Sequence, residues 1–141
     1  MSRECVVVAE QGRARFFIRD TGKKTFTEID DLTNPDARLQ DQELESDRPG
    51  RAFDSRGSNR HAMEPKTGIS EQSATRFAKK IRDYLENNRR EYDNIILIAS
   101  PAFLGHLRKE LPDTLSKMVK REIDKEIVRK KTDEIREYLK L

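Results

Sequence analysis

Two uninterrupted apolar runs constrain the fold of this chain most tightly. They are Cys5-Val6-Val7-Val8-Ala9 near the start and Ile95-Ile96-Leu97-Ile98-Ala99 well past the middle. A strand with one wet face alternates apolar and polar residues, and these runs do not alternate. Each is therefore expected to be a strand buried on both faces, the first over Cys5–Ala9 and the second over Asn94–Ser100. A sheet holding such strands needs packed cover on its faces, which points to an α/β protein.

The intervening patterns supply the other elements. Glu10-Gln11-Gly12 is a turn signal, Arg13–Arg19 reads as a second strand, Thr21-Gly22 as the next turn and Thr25–Ile29 as a half-exposed third strand. Strands joined by such short turns form an antiparallel meander. Ser70 can cap a helix in which Ala74, Phe77, Ala78, Ile81, Tyr84 and Leu85 share one face. Pro101 suits the first turn of a helix carrying Phe103, Leu104, Leu107 and Leu111. A short helix to about Met118, an edge strand over about Val119–Ile127 and a terminal helix capped by Thr132 complete the order β-β-β-loop-α-β-α-β-α. The expected class is α/β with a mixed five-stranded sheet: three antiparallel strands, then alternating helices and strands.

Length and charge bound the function. At 141 residues the chain is expected to form a single domain over 1–141. Lys and Arg number 29 against 26 Asp and Glu, for a net charge of +3. That near balance does not fit the heavily basic skin of a DNA-coating protein, although local basic patches remain open. The single cysteine, Cys5, excludes an intramolecular disulfide and a Cys-based zinc site, and it reads as a buried strand residue. The start holds too few apolar residues for a signal-peptide core, and nothing approaches the run a membrane span needs. A soluble, cytoplasmic protein without a membrane partner is the expectation.

From about 31 to 70 the periodicity breaks, and this span is expected to be one long irregular loop. It holds Pro35, Pro49 and Pro65 together with Gly50, Gly57 and Gly68. Loops of that length inside compact domains are usually functional or disordered. Arg48, Arg51, Arg56, Arg60 and His61 outnumber Asp47 and Asp54 between 47 and 61, and Phe53 adds a stacking surface. Guanidinium forks favour phosphate oxygens, so anion or RNA contact is one expectation. The plainer alternative is that these arginines bind Glu45, Asp47 and Asp54, with Pro49-Gly50 as a turn, and fix the loop on the domain. Asp41, Glu43, Glu45, Asp47, Asp54 and His61 match no metal-binding spacing and read as a solvated charged loop.

Outside the loop the signals are weaker. Arg13 and Arg15 share one face of the second strand and are expected in solvent. Arg108 and Lys109 follow Gly105-His106 on the helix after the Asn94–Ser100 strand, near a strand end where α/β proteins bind ligands. No Ser or Cys stands beside His106 in a nucleophile motif, and it reads as a surface histidine. Phosphate-loop, dinucleotide and zinc-protease motifs do not occur.

Two stretches carry a family resemblance. Glu45-Ser46-Asp47-Arg48-Pro49-Gly50-Arg51-Ala52-Phe53-Asp54, with Arg60-His61-Ala62-Met63-Glu64-Pro65-Lys66-Thr67, resembles the bacterial family named for host attachment. So does Ile98-Ala99-Ser100-Pro101-Ala102-Phe103-Leu104-Gly105-His106-Leu107-Arg108, beside Arg76-Phe77-Ala78. That family is similar in turn to the central domain of archaeal and eukaryotic peptide-chain release factors and of Pelota. The resemblance implies a ribonuclease-H-like fold, with Gln72 at the position of the release factors' Gly-Gly-Gln tip. Ser70 and Glu71 stand where the two glycines would be, so release-type hydrolysis through Gln72 is not expected.

These observations lead to a first expectation of a non-enzymatic, RNA- or ribosome-interacting domain without cofactor or metal. Arg48, Arg51, Arg60, His61, Arg108 and Phe53 would form the contact, and the ribosome, ribosomal RNA or transfer RNA would be the partner. The alternative is a protein that serves attachment to host cells or surfaces through protein–protein contact. A further alternative is a hydrolase using His61 or His106 with loop carboxylates.

Overall fold

The computed structural model describes residues 2–36 and 55–139, with side chains from residue 71 onward in the second segment. A five-stranded mixed sheet forms its centre, in the order β3-β2-β1-β4-β5. β1 (Arg3–Ala9), β2 (Arg13–Asp20) and β3 (Thr25–Thr33) form the antiparallel meander. β4 (Asn94–Ala99) runs parallel to β1, and β5 (Val119–Ile123) parallel to β4. The helices are α1 (Ser55–Asn87), α2 (Pro101–Glu110), the short α3 (Asp113–Ser116) and α4 (Thr132–Tyr138).

The unbroken apolar runs lie where their pattern requires, in the adjacent strands β1 and β4. Alternate residues serve opposite layers. Cys5, Val7, Ala9, Ile95, Leu97 and Ala99 meet Ala74, Phe77, Ala78, Ile81 and Leu85 of α1 and Phe103, Leu104 and Leu107 of α2. Val6, Val8, Ile96 and Ile98 face the other way, onto Phe17, Ile127, Val128, Ile135 and Leu139. Fully burying one aliphatic side chain stabilises by roughly 1.5–3 kcal/mol, so these two layers dominate the stability.

Several element boundaries differ from those the sequence predicts. The third strand continues from Ile29 to Thr33, because its register with β2 runs on to the Arg13–Thr33 pair. A bulge opposite Phe16 and Phe17 accommodates the extra residue, and Ile29 is left 44% exposed on this sheet edge. The first long helix begins at Ser55, so Ser70 lies inside it rather than at its N-terminus. Good helix formers such as Arg60, Ala62, Met63, Glu64 and Lys66 carry the backbone through Gly57, Pro65 and Gly68. The irregular span expected over 31–70 is therefore regular at both margins, and residues 37–54 lie outside the described residues. The last strand stops at Ile123 rather than Ile127, because Ile127 and Val128 turn into the core under α4.

Candidate functional site at the carboxyl ends of the parallel strands

β1 and β4 run parallel, and the chain leaves them in opposite directions. β1 turns through Glu10-Gln11-Gly12 into β2, while β4 passes through α2 to β5 on the far side. The carboxyl ends of strands where the chain diverges in this way are the usual place for function in open α/β sheets.

The two chain segments that flank residues 37–54 meet at this end of the sheet. Asn34, only 4% exposed, follows β3 and donates its backbone N–H to the Gly12 carbonyl at 2.9 Å. Its Nδ2 donates to the Gln11 carbonyl and to Ser73 Oγ of α1, each at 2.9 Å. Its Oδ1 accepts the Asp36 N–H at 3.1 Å. One buried amide thereby ties the β3 exit to the β1–β2 turn and to α1. At the surface, Arg76 Nη2 and Nε donate to Asp36 Oδ2 at 2.6 and 3.1 Å. On the next helix, His106 Nδ1 lies 3.4 Å from Thr75 Oγ1, with its ring against Phe103.

The predicted site residues distribute unevenly around this frame. Glu45, Asp47, Arg48, Pro49, Gly50, Arg51, Phe53 and Asp54 lie outside the described residues, and so do the side chains of Arg60 and His61. Gln72 is exposed and sits well inside α1, not at the loop-to-helix junction that the release-factor resemblance implies. Arg108 does not join the anchoring cluster. Its guanidinium donates to Glu122 Oε1 of β5 from Nε at 2.8 Å, and Nη2 lies 2.6 Å from the same oxygen. This hydrogen bond and the Glu122 charge raise the Arg108 pKa further and occupy its phosphate-binding edge.

Arg15 corrects a second expectation. It is 6% exposed, not solvated, with its guanidinium 5.1 Å from the Phe17 ring centroid. Nε and Nη2 donate to the two oxygens of Glu28 at 3.0 and 2.8 Å. Nη1 donates to the Val128 and Lys130 carbonyls at 2.9 and 2.5 Å, and Nη2 to Thr132 Oγ1 at 3.3 Å. The Thr132 hydroxyl thus receives Arg15, and Glu134 instead accepts the Lys131 N–H that precedes α4. The parity Arg15–Phe17 was the available signal, since Phe17 points into the second core layer. Arg13, nearer the strand end, is half-exposed and pairs with Asp31.

A buried carboxylate at the opposite end of the sheet was not legible at all. Glu4 is fully buried and accepts from Arg19 Nη1 at 2.8 Å and Lys120 Nζ at 2.5 Å. Burial alone would push its carboxyl up, but hydrogen bonds from the two cations outweigh that and hold it below the ordinary range. Cys5 has no such partner, and burial pushes its thiol up to about 12, so it is no thiolate nucleophile. Among the described residues no cluster of His, Cys, Asp and Glu is placed to hold a metal ion, and no helix is long and apolar enough to cross a membrane.

Comparison with known proteins places these features in a sequence family. The family model described as "Protein required for attachment to host cells" matches residues 5–139, which includes every strand and helix above apart from the first two residues of β1. The chain is also similar to Uncharacterized protein RP470 of Rickettsia prowazekii (strain Madrid E), with 32% identity over 77 residues. That alignment covers 52% of this chain and 51% of the relative, so the chain spans about half the length of the curated relative it matches.

Proposed function

Because the chain belongs to the family of proteins required for attachment to host cells, we propose that it serves such attachment as a non-catalytic module that contacts a protein partner. The family match over residues 5–139 is the observation that carries this reading. We locate the contact in the stretch that follows β3 and precedes α1. Asn34–Ser73 and Asp36–Arg76 contacts join the end of β3 to α1, on either side in sequence of the stretch containing Arg48, Arg51 and Phe53. Arginine and aromatic side chains are the residues that most often dominate protein interfaces. We place the chain in the cytoplasm, where it acts on attachment indirectly.

Deleting the gene in its source bacterium and counting cells bound to host monolayers tests the proposal. Attachment should fall, return with the wild-type chain, and fail to return with Arg48→Ala/Arg51→Ala/Phe53→Ala. Unchanged attachment after deletion would sink the idea. Recovery of the chain outside the cell or on its surface would replace the indirect role with a direct one.

RNA or ribosome contact, on a ribonuclease-H-like and release-factor-like domain, is the competing reading. The meander followed by alternating helices and strands supports such a fold. Its described contact residue, Arg108, does not support the function, since it is paired with Glu122, and Gln72, at the release-tip position, is internal to α1. Co-sedimentation with ribosomes at low salt would favour it over protein contact.

A further inference from the structure

A cationic cavity lies at the opposite end of the sheet from the anchored segment. It measures about 340 Å³ and is lined by Arg19, Thr21, Lys24, Thr25, Phe26 and Arg136. Its walls come from the β2–β3 hairpin and from α4, so the site exists only in the folded chain.

Charge in this cavity is poorly neutralised. Arg19 gives Nη1 to Glu4, but Glu4 is shared with Lys120, leaving one carboxylate between two cations. Lys24 and Arg136 have no ion-pair partner among the described residues. Arg136 Nη2 makes only a long, 3.4 Å hydrogen bond to the Lys24 carbonyl. Lys24 itself adopts the left-handed backbone region, with φ of 56°, although Gly22 stands two residues earlier in the same turn. Such a conformation in a residue other than glycine is uncommon and clusters at ligand sites. The nearby Asp20 carboxylate is turned into its own hairpin, where Oδ1 accepts the Lys23 N–H at 3.0 Å.

Phe26 gives the cavity an apolar side. Its ring stacks on Phe17 with centroids 4.8 Å apart and planes 11° apart, so it is held in one orientation. A fixed ring beside unpaired guanidinium and ammonium groups can recognise a planar body that carries an anion. A cavity of about 340 Å³ falls within the range of small-molecule sites.

We infer that this cavity binds a phosphate-bearing small molecule of the mononucleotide class, with Arg19, Lys24 and Arg136 on the phosphate and Phe26 against the base. This site is separate from the attachment contact and does not rest on it. The test is isothermal titration of the full chain with adenosine monophosphate, and with inorganic phosphate and adenosine as its two halves. The monophosphate should bind at least about tenfold more tightly than either half, since a charge-assisted contact, absent from adenosine, and a base–aromatic stack, absent from phosphate, each contribute about a factor of ten. Arg136→Ala and Lys24→Ala, both at the surface, should each weaken binding by about tenfold, while circular dichroism confirms the fold. Equal affinity for inorganic phosphate would refute the planar-body assignment. Absence of binding at millimolar concentration, or binding unaffected by both substitutions, would refute the site.

Discussion

Replacing Arg15 by alanine tests the account of this fold where the sequence is most misleading. The side chain is 8% exposed and gives five hydrogen bonds: two to Glu28, one each to the Val128 and Lys130 carbonyls, and one to Thr132. Removing one partner from a buried, hydrogen-bonded ion pair costs about 3–5 kcal/mol, because the other groups stay buried without it. Glu28 is 28% exposed, so water recovers part of its hydration and the lower limit, about 3 kcal/mol, applies. With a urea dependence of about 2 kcal/mol per molar, the unfolding midpoint should fall by about 1.5 M. Arg13→Ala is the matched control on the same strand face. Its pair with Asp31 is 38% and 39% exposed, and its removal should cost no more than about 1 kcal/mol. Hydrogen exchange adds a spatial signature: amides of α4 should lose protection first, because Arg15 holds the segment that leads into it. Equal midpoint shifts for the two variants would refute the burial argument.

Two further outcomes follow from the polar groups of the core. Because the folded Glu4 carboxyl lies below its ordinary value, its stabilisation is complete at neutral pH and is lost as pH falls through the folded value. Glu4→Gln should therefore flatten the acid limb of the stability curve, measured by urea titrations from about pH 6 downward, and an unchanged limb would refute the assignment. Asn34→Ala removes a buried side-chain donor to Ser73 Oγ and should destabilise by about 1–3 kcal/mol, read as a lower thermal midpoint. A neutral result would mean that the base of the 37–54 segment does not depend on this amide.

Much of the fold was legible because side-chain periodicity reports burial directly. The unbroken runs Cys5–Ala9 and Ile95–Ala99 could belong only in a covered sheet, and Phe77, Ile81 and Leu85 could share a face only on a helix. The margins were less legible. Gly57, Pro65 and Gly68 predict a broken backbone, yet α1 runs through them, since local preference is a weak prior. The proposed contact was legible only as a segment. Its arginines stand out in composition, but the group that ties its entry to α1 is Asn34, an unremarkable residue whose partners lie 23 and 39 positions away.

The sequence by itself determined the class of architecture and the two strands that had to be covered on both faces, because hydrophobic pattern and burial are two views of the same free energy. Only the tertiary structure decided what the charged residues do. Arg15 and Glu4 look like surface groups until the chain folds, for beside Glu28 and Arg19 of the neighbouring strands their partners are Val128, Lys130 and Lys120, more than a hundred positions away. A charge enters a core when opposite charges and carbonyls converge on it, and that convergence depends on strand order and register rather than on local sequence.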